Sequence, residues 1–406
     1  MTSVVGVAVR EAGPTFNPFD PSQVDDQVAT LARLRRESPV TELLPGVFYL
    51  AKHGDILDVC RAPQTFRQGR FLPLDQDTRT PDELNLGETD PPQHTGVRKV
   101  LAGLLSPARV RAMEPQVRLA CDRLVGDFAG RGRADMIADL GVPLPGAVIG
   151  PLTGLPDEWH GELRAYSDDY MARTDPDPQV ARAAGERVDA FDAKVRQLIR
   201  ERRASGDRPD DMLTGLIECV GSDRMPLSED KVLVHLTKDV IVGGTETTTH
   251  LIGNLFVNVC GTPGAYGRLR DDRTLVPKAV EETLRISGPV QILFRVPESD
   301  VTIGGAAIPA GATVALGYAS ANRDEEVFED PDAFSLDRGE DVRKLHLGFG
   351  FGVHLCVGAA LARLEAVSAL NATLDRIPHM ALAPGFEYRR VRFFMMRGPT
   401  RVDVVF

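Results

Sequence analysis

The stretch Phe349-Gly350-Phe351-Gly352-Val353-His354-Leu355-Cys356-Val357-Gly358 decides how the chain is read. It presents one sulfur, Cys356, on a glycine-punctuated loop that runs straight into the helical pattern Ala359-Ala360-Leu361-Ala362-Arg363-Leu364-Glu365. Gly350, Gly352 and Gly358 are expected to take positive φ and to let the backbone approach a bulky flat partner without Cβ clashes. The helix that follows aims its free N–H groups and positive dipole end at the sulfur, a setting expected to favour thiolate over thiol. Thiolate is the metal-ligating form. No second cysteine lies at metal-clip spacing, so the pattern suits the fifth position on a haem iron better than a zinc cage.

The rest of the composition is that of an ordinary globular chain. The 406 residues are 43% apolar and 26% charged, with no Gly/Ser-rich or Pro-rich linker and no fixed-period repeat, so one large domain spanning 1–406 is expected. A net charge of −11 marks no nucleic-acid binder. The five cysteines, Cys60, Cys121, Cys219, Cys260 and Cys356, are scattered without a Cys-x-x-Cys, which argues against a disulfide framework and for a reducing cytoplasm. Near the N-terminus the apolar run Val4 to Val9 is far shorter than the roughly 20 residues a membrane span needs, so no membrane anchor is expected.

Periodicity gives a mainly α chain with a minor β portion. Apolar spacing of three and four predicts helices around 95–130, 157–173, 177–204, 210–220, 228–260 and 274–286. Strand-rich parts are expected near 40–63, 291–319 and 385–406, with Val301-Thr302-Ile303-Gly304-Gly305 and Ile308-Pro309-Ala310-Gly311 forming a hairpin. The polar stretch from Phe66 to Pro92 reads as a long functional loop.

Two further constellations stand out. Ser228 is a natural N-cap for a helix that continues into Gly243-Gly244-Thr245-Glu246-Thr247-Thr248-Thr249. Each mid-helix glycine costs about 1 kcal/mol relative to alanine, so the pair is expected to serve the close approach of a planar group or a local bulge. Glu246 and Thr247 then offer a proton-carrying carboxylate beside a hydroxyl. The second is Glu282-Thr283-Leu284-Arg285, an opposite-charge pair three apart on one helix face, which gains meaning only from its position before Cys356.

In this order and at these separations, the three signatures resemble those of the cytochrome P-450 family, the soluble bacterial haem-thiolate monooxygenases, over essentially the full chain. The resemblance implies the cytochrome P-450 fold, with a long central helix over a buried haem b (iron protoporphyrin IX). It makes Cys356 the implied proximal iron ligand in a loop that includes Phe349 and Gly350. Gly243, where alanine is commoner, and Glu246 and Thr247 match the oxygen-binding motif: Thr247 is implied to hydrogen-bond at the oxygen site and Glu246 to relay protons. Glu282 and Arg285, with Arg338 as third partner, match a structural charge cluster supporting the haem loop. His94 and Arg98, one helical turn apart, together with Arg295 and His354, match contacts to the haem propionates. Asn322-Arg323-Asp324-Glu325 departs from the family's usual turn by lacking a proline.

The family's reaction inserts one atom of O2 into an unactivated C–H or C=C bond, using two electrons and two protons. With no flavin or nicotinamide domain in the 406 residues, electrons from NAD(P)H are implied to arrive through a separate ferredoxin and ferredoxin reductase. Lys99, Arg109, Arg111, Arg343, Lys344 and Arg363 form a candidate basic docking patch. The implied substrate is a hydrophobic small molecule such as a terpenoid, steroid, fatty acid or polyketide, met by Phe71, Leu72, Val242, Gln291, Leu293 and Phe394. A cytoplasmic monomer is expected. The rival readings are a peroxide-driven peroxygenase, which typically lacks the acid and threonine pair, and a non-catalytic haem sensor, which needs an output domain.

Overall fold

The computed structural model describes residues 16, 27–69, 80–173, 175, 177–221, 227–339, 341–391 and 393–406. The helices follow local chemistry closely. Asp177 accepts a hydrogen bond from the Gln179 N–H, Pro178 opens the helix Pro178–Ser205, and Gly206 closes it at φ 72°. The single helix expected over 95–130 is two, Gln93–Leu104 and Pro107–Phe128, because Pro107 begins a new helix and cannot continue the old one. Pro143–Thr153 is a helix that periodicity does not reveal. It contains Pro145, Gly146, Gly150 and Pro151, and its apolar residues surround it rather than forming a stripe.

Ser228 caps the central helix as expected, its Oγ accepting from the Lys231 N–H at 3.1 Å. The helix is α-wound over Glu229–Val234, π-wound over His235–Val242, and α-wound again over Gly243–Gly261. The bulge ends where the glycine pair begins. Residues Leu251, Ile252, Leu255, Phe256 and Val259 are buried, so the second half runs through the interior. There Asn254 Nδ2 donates to Ser287 O at 2.7 Å and to Arg397 O at 3.0 Å, pinning the helix to two other segments.

The helix Ala359–Arg376 packs against both Pro107–Phe128 and the central helix. Val117, Cys121, Val125 and Phe128 share one core cluster with Ala366, Ala369 and Leu370. The small alanines let these helix backbones approach closely. As a result the residues just before Ala359, including Cys356, are held at the edge of the main core.

The strand-rich parts near 40–63 and 291–319 join in a five-stranded sheet, ordered Val40–Leu44, Val47–Leu50, Thr313–Leu316, Leu293–Pro297, Phe66–Gln68. Val47–Leu50 and Thr313–Leu316 run parallel and the other pairs antiparallel. This register sets Gln68 opposite Arg295. The expected hairpin forms from Val301–Ile303 and Ala306–Ile308 around Gly304 and Gly305, both at positive φ. Among the described residues of the C-terminal 385–406, only Asp403–Val405 is a strand, completing a sheet with Arg133–Asp135 and Ala381–Leu382. Among the described residues, no helix is long and apolar enough to cross a membrane.

Gly253 tests this packing. A Cβ there would lie 2.5 Å from Ile137 Cδ1 and 2.8 Å from Pro399 Cγ, and the proline ring cannot rotate away. Gly253→Ala is expected to lower the unfolding free energy by about 1–3 kcal/mol, measured by denaturant titration.

Candidate functional site

The cysteine loop turns on Gly350 and Gly352, both at φ 72°. A Cβ on Gly352 would lie 2.7 Å from Cys60 O, so this turn needs glycine on two grounds. Gly358 differs from expectation: its φ is −85°, and a Cβ there would lie 3.9 Å from Cys356 Sγ. It begins the helix and brings its N–H beside the sulfur rather than supplying a left-handed turn. The Cys356 N–H donates to Phe349 O at 2.9 Å, closing the loop.

Cys356 lines a cavity of about 340 Å³. Cys356 is exposed to this cavity, and desolvation by the protein around it pushes its thiol above the ordinary range against the downward pull of the Gly358 N–H, Arg98, Arg363 and the Ala359 N–H. The helix end and the two guanidinium groups lower the cost of a thiolate, and a cation bound at the sulfur would favour it further.

Two adjacent carboxylates brace the loop. Glu282, 1% exposed, takes bidentate bonds from Arg285 at 2.8 and 2.7 Å, and Oε1 also accepts from Arg338 Nε at 2.7 Å and the Ser335 N–H at 3.1 Å. Arg285 continues to Asn322 O at 2.8 Å, and Asn322 Oδ1 accepts the Leu347 N–H at 2.6 Å, at the start of the cysteine loop. Glu281, which sequence reading passed over, is bound by His346 Nε2 at 2.9 Å and by Arg363 at 2.6 and 3.0 Å. It thereby ties the residue before the loop to the helix after it. Arg363 also stacks 4.5 Å over the Phe349 ring.

Beside the loop, the rings of His94 and His354 lie 4.0 Å apart. Both nitrogens of His94, and Nε2 of His354, are buried without a hydrogen-bond partner among the described residues. Arg98 and Arg295 line the same cavity; Arg98 donates to Leu355 O at 2.5 Å and Arg295 to Gln68 Oε1 at 2.9 Å. Burial, followed by the charges of Arg98 and Arg295, pushes His94 down to about 4. Burial and the neighbouring His94, Arg295 and Arg98 push His354 down to about 2. Idle ring nitrogens beside uncompensated guanidinium groups form a cradle for buried anions. The two propionates of a haem fit this donor set, with Cys356 on the same wall for its iron.

The central helix forms another wall through Gly243, Gly244, Thr247, Thr248 and Leu251. A Cβ on Gly243 would meet nothing nearer than Lys238 O at 3.8 Å, so alanine fits there. Gly244 is the tighter position, with 2.7 Å to Ile149 Cδ1 on the helix that periodicity missed. Thr247 Oγ1 donates to Gly243 O at 2.7 Å. Its neighbour Glu246 is buried and does not line the cavity. Glu246 Oε1 lies 2.9 Å from His250 Nε2 and Oε2 lies 3.3 Å from Arg164 Nη1. Burial raises its carboxyl, but the His250 hydrogen bond and the charges of His250 and Arg164 outweigh this and hold it below the usual range.

Sequence reasoning also missed Glu365, a fully buried acid on the cavity wall that burial pushes up to about 8.

Among the anticipated substrate contacts, Leu293 lines the cavity, while Phe71 and Leu72 lie outside the described residues. The structure places three others elsewhere. Val242 is buried in the main core, Gln291 turns back to donate to Gly288 O at 2.6 Å, and Phe394 packs on Phe294 and Phe393. Apolar walls come instead from Leu86, Leu101, Ile149, Val240 and Val290, while Lys238 and Asp239 of the π-wound turn add polar atoms. In the basic patch, Arg363 is paired with Glu281 and Arg109 with Asp210, while Lys99 and Arg111 are exposed.

A lone cysteine at a helix start, an anion cradle and a glycine-lined helical wall around one cavity define a haem-thiolate protein. The sequence model described as Cytochrome P450 matches residues 169–378. Cytochrome P450 107B1 of Saccharopolyspora erythraea is 34% identical over 96% of this chain and 98% of its own. The 6-deoxyerythronolide B hydroxylase of the same organism is 33% identical over 82% and 81%. The crystal structure of CYP109E1 from Bacillus megaterium in complex with testosterone superposes with a TM-score of 0.82, at 26% identity, over 94% of this chain and 99% of that one. The chain belongs to the cytochrome P450 family, and is a bacterial-type P450 monooxygenase using haem b and O2 with electrons from redox partners.

Glu281 yields a signed pH prediction. Its carboxyl is held at about 2, below the ordinary 4.5, by His346 and Arg363 working against burial. Its stabilisation is therefore fully present above about pH 4.5 and is lost as pH falls toward 2. Glu281→Gln is expected to cost up to on the order of 3 kcal/mol at neutral pH and to flatten the acid limb of stability between those values. Denaturant melts at stepped pH measure both effects.

Proposed function

We propose that this monooxygenase hydroxylates or epoxidises a hydrophobic small molecule of the polyketide or steroid type, with terpenoids and fatty acids as further candidates. In this reading it works in the cytoplasm as a monomer, with a separate ferredoxin and its reductase. The observation that carries the reading is an apolar cavity bordered by Cys356 on one wall and by Gly243, Gly244 and Thr247 on another. The bound haem supplies O2 activation and oxygen insertion. A relative named for hydroxylating 6-deoxyerythronolide B and a fold neighbour crystallised with testosterone support a large, mostly apolar substrate.

The chain's own residues divide the remaining work. Arg98 and Arg295 would neutralise the haem propionates, and the ring nitrogens of His94 and His354 would hydrogen-bond them. Thr247 has its one donor engaged by Gly243 O, so its oxygen remains free to accept a hydrogen bond from a proton-bearing group in the cavity. Glu246 holds a carboxylate one residue away, outside the cavity, from which protons are handed inward. The walls at Leu86, Leu101, Ile149, Val240, Val290 and Leu293 exclude water and select apolar substrate by area. Exposed Lys99 and Arg111 steer an acidic electron carrier toward the cysteine side.

Thr247→Ala is expected to retain substrate binding but to lower product formed per reduced cofactor consumed by roughly an order of magnitude; unchanged coupling excludes the proton-positioning role. Cys356→Ala is expected to lose the red-shifted absorption band of the reduced carbon monoxide complex. Reduction by ferredoxin is expected to slow as salt rises, measured by stopped flow.

A further inference from the structure

Glu246 is held by two partners of different kinds. Arg164, 29% exposed, reaches it from the helix Leu163–Ala172 and also binds Asp168 at 2.7 Å. His250, 2% exposed, reaches it from the same face of the central helix, one turn on. This histidine is enclosed. A Cβ on Gly398 would lie 2.1 Å from its ring, and its Nδ1 is buried with no hydrogen-bond partner among the described residues. The ring cannot swing without moving the Gly398 backbone, so Nε2 is fixed where it meets Glu246 Oε1. The Arg164 side chain is partly in solvent and is shared with Asp168 and, at 3.4 Å, with Thr249 Oγ1.

We propose that His250 is a positioning residue for proton delivery: its Nε2–H donates to Glu246 Oε1 and holds the carboxylate in its withdrawn orientation, outside the cavity wall. This rests on the role of Glu246 proposed above and goes beyond it by naming the rigid partner. Arg164 then acts as the adjustable partner on the solvent side, and His250 as the fixed one on the interior side. The charged groups facing the carboxylate are few: His250 on its own helix, Arg164 and Asp168 on Leu163–Ala172. Arg397, the residue before Gly398, has its guanidinium 5.3 Å over the Tyr388 ring. Removing the hydrogen bond leaves a buried carboxylate with Arg164 as its remaining cationic partner, so its proton affinity rises.

Four haem-loaded proteins test this: wild type, His250→Leu, His250→Gln and Glu246→Gln, each as the diamagnetic ferrous carbon monoxide complex. The Glu246 carboxyl band is identified in infrared difference spectra as the one lost in Glu246→Gln, and is titrated with pH. His250→Leu is expected to move its midpoint upward by about one pH unit, whereas His250→Gln, which keeps an N–H donor at similar reach, restores the wild-type midpoint. The acid limb of coupling should move with it. An unshifted midpoint in His250→Leu overturns the proposal, as does a shift that Gln fails to restore, which assigns His250 to space-filling against Gly398.

Should His250→Leu not fold, ring-15N-labelled wild type decides. A slowly exchanging histidine Nε2–H that disappears in Glu246→Gln supports the bond, and unchanged histidine spectra overturn it. Wild-type coupling in Glu246→Gln defeats the proposed catalytic role of Glu246 while leaving the titration result intact, so the two failures are distinguishable.

Discussion

The architecture of the site depends on two consecutive carboxylates on one buried helix turn. Glu282 points to Arg285 and Arg338, and through Arg285 and Asn322 reaches the backbone of Leu347. Glu281 points the other way, to His346 and Arg363. Between them they fix both ends of the segment that carries Cys356. Arg285 is fully buried, and an arginine so placed is tolerable only because Glu282 and the carbonyls of Asn322, Pro331 and Ala333 satisfy all of its contacts. Loss of Glu282 strands the buried Arg285 beside the loop. The arrangement is thus stiff by electrostatic necessity as well as by packing.

Much of this was legible in the sequence because it is local or motif-bound. The Ser228 cap, the hairpin at Gly304 and Gly305, and the turns at Gly350 and Gly352 each depend on a few neighbouring residues. What escaped depends on distant partners. Arg164 and Glu246 are far apart in the chain, and only the packing of two helices brings them together. The Pro143–Thr153 helix hid behind its prolines and glycines, yet Ile149 is what Gly244 packs against. His250 was detectable in principle, four residues after an acid on a helix.

The proposed substrate contacts show the same division. Gln291 looked like a polar anchor because polar residues among apolar ones attract attention, but its side chain satisfies itself on Gly288 O. Lys238 and Asp239, which line the cavity, carried no signal in the sequence reading. The π-wound turn gives the helix one extra residue before Gly243, changing which side chains face inward. No count of three and four along the sequence reveals that shift, since it is set by what the bulged turn packs against. The bulge therefore links the glycine pair to the polarity of the cavity.

The cradle of His94, His354, Arg98 and Arg295 carries a thermodynamic consequence. Two imidazoles held neutral by burial and by two nearby guanidinium groups present ring nitrogens that have no hydrogen-bond partner among the described residues. A dianionic cofactor would offset the charges of Arg98 and Arg295 and raise the histidines' affinity for protons. Cofactor content, proton uptake and conformational stability would then be linked variables of one equilibrium. The haem would serve as a counter-ion in the folded charge distribution, in addition to the chemistry it brings.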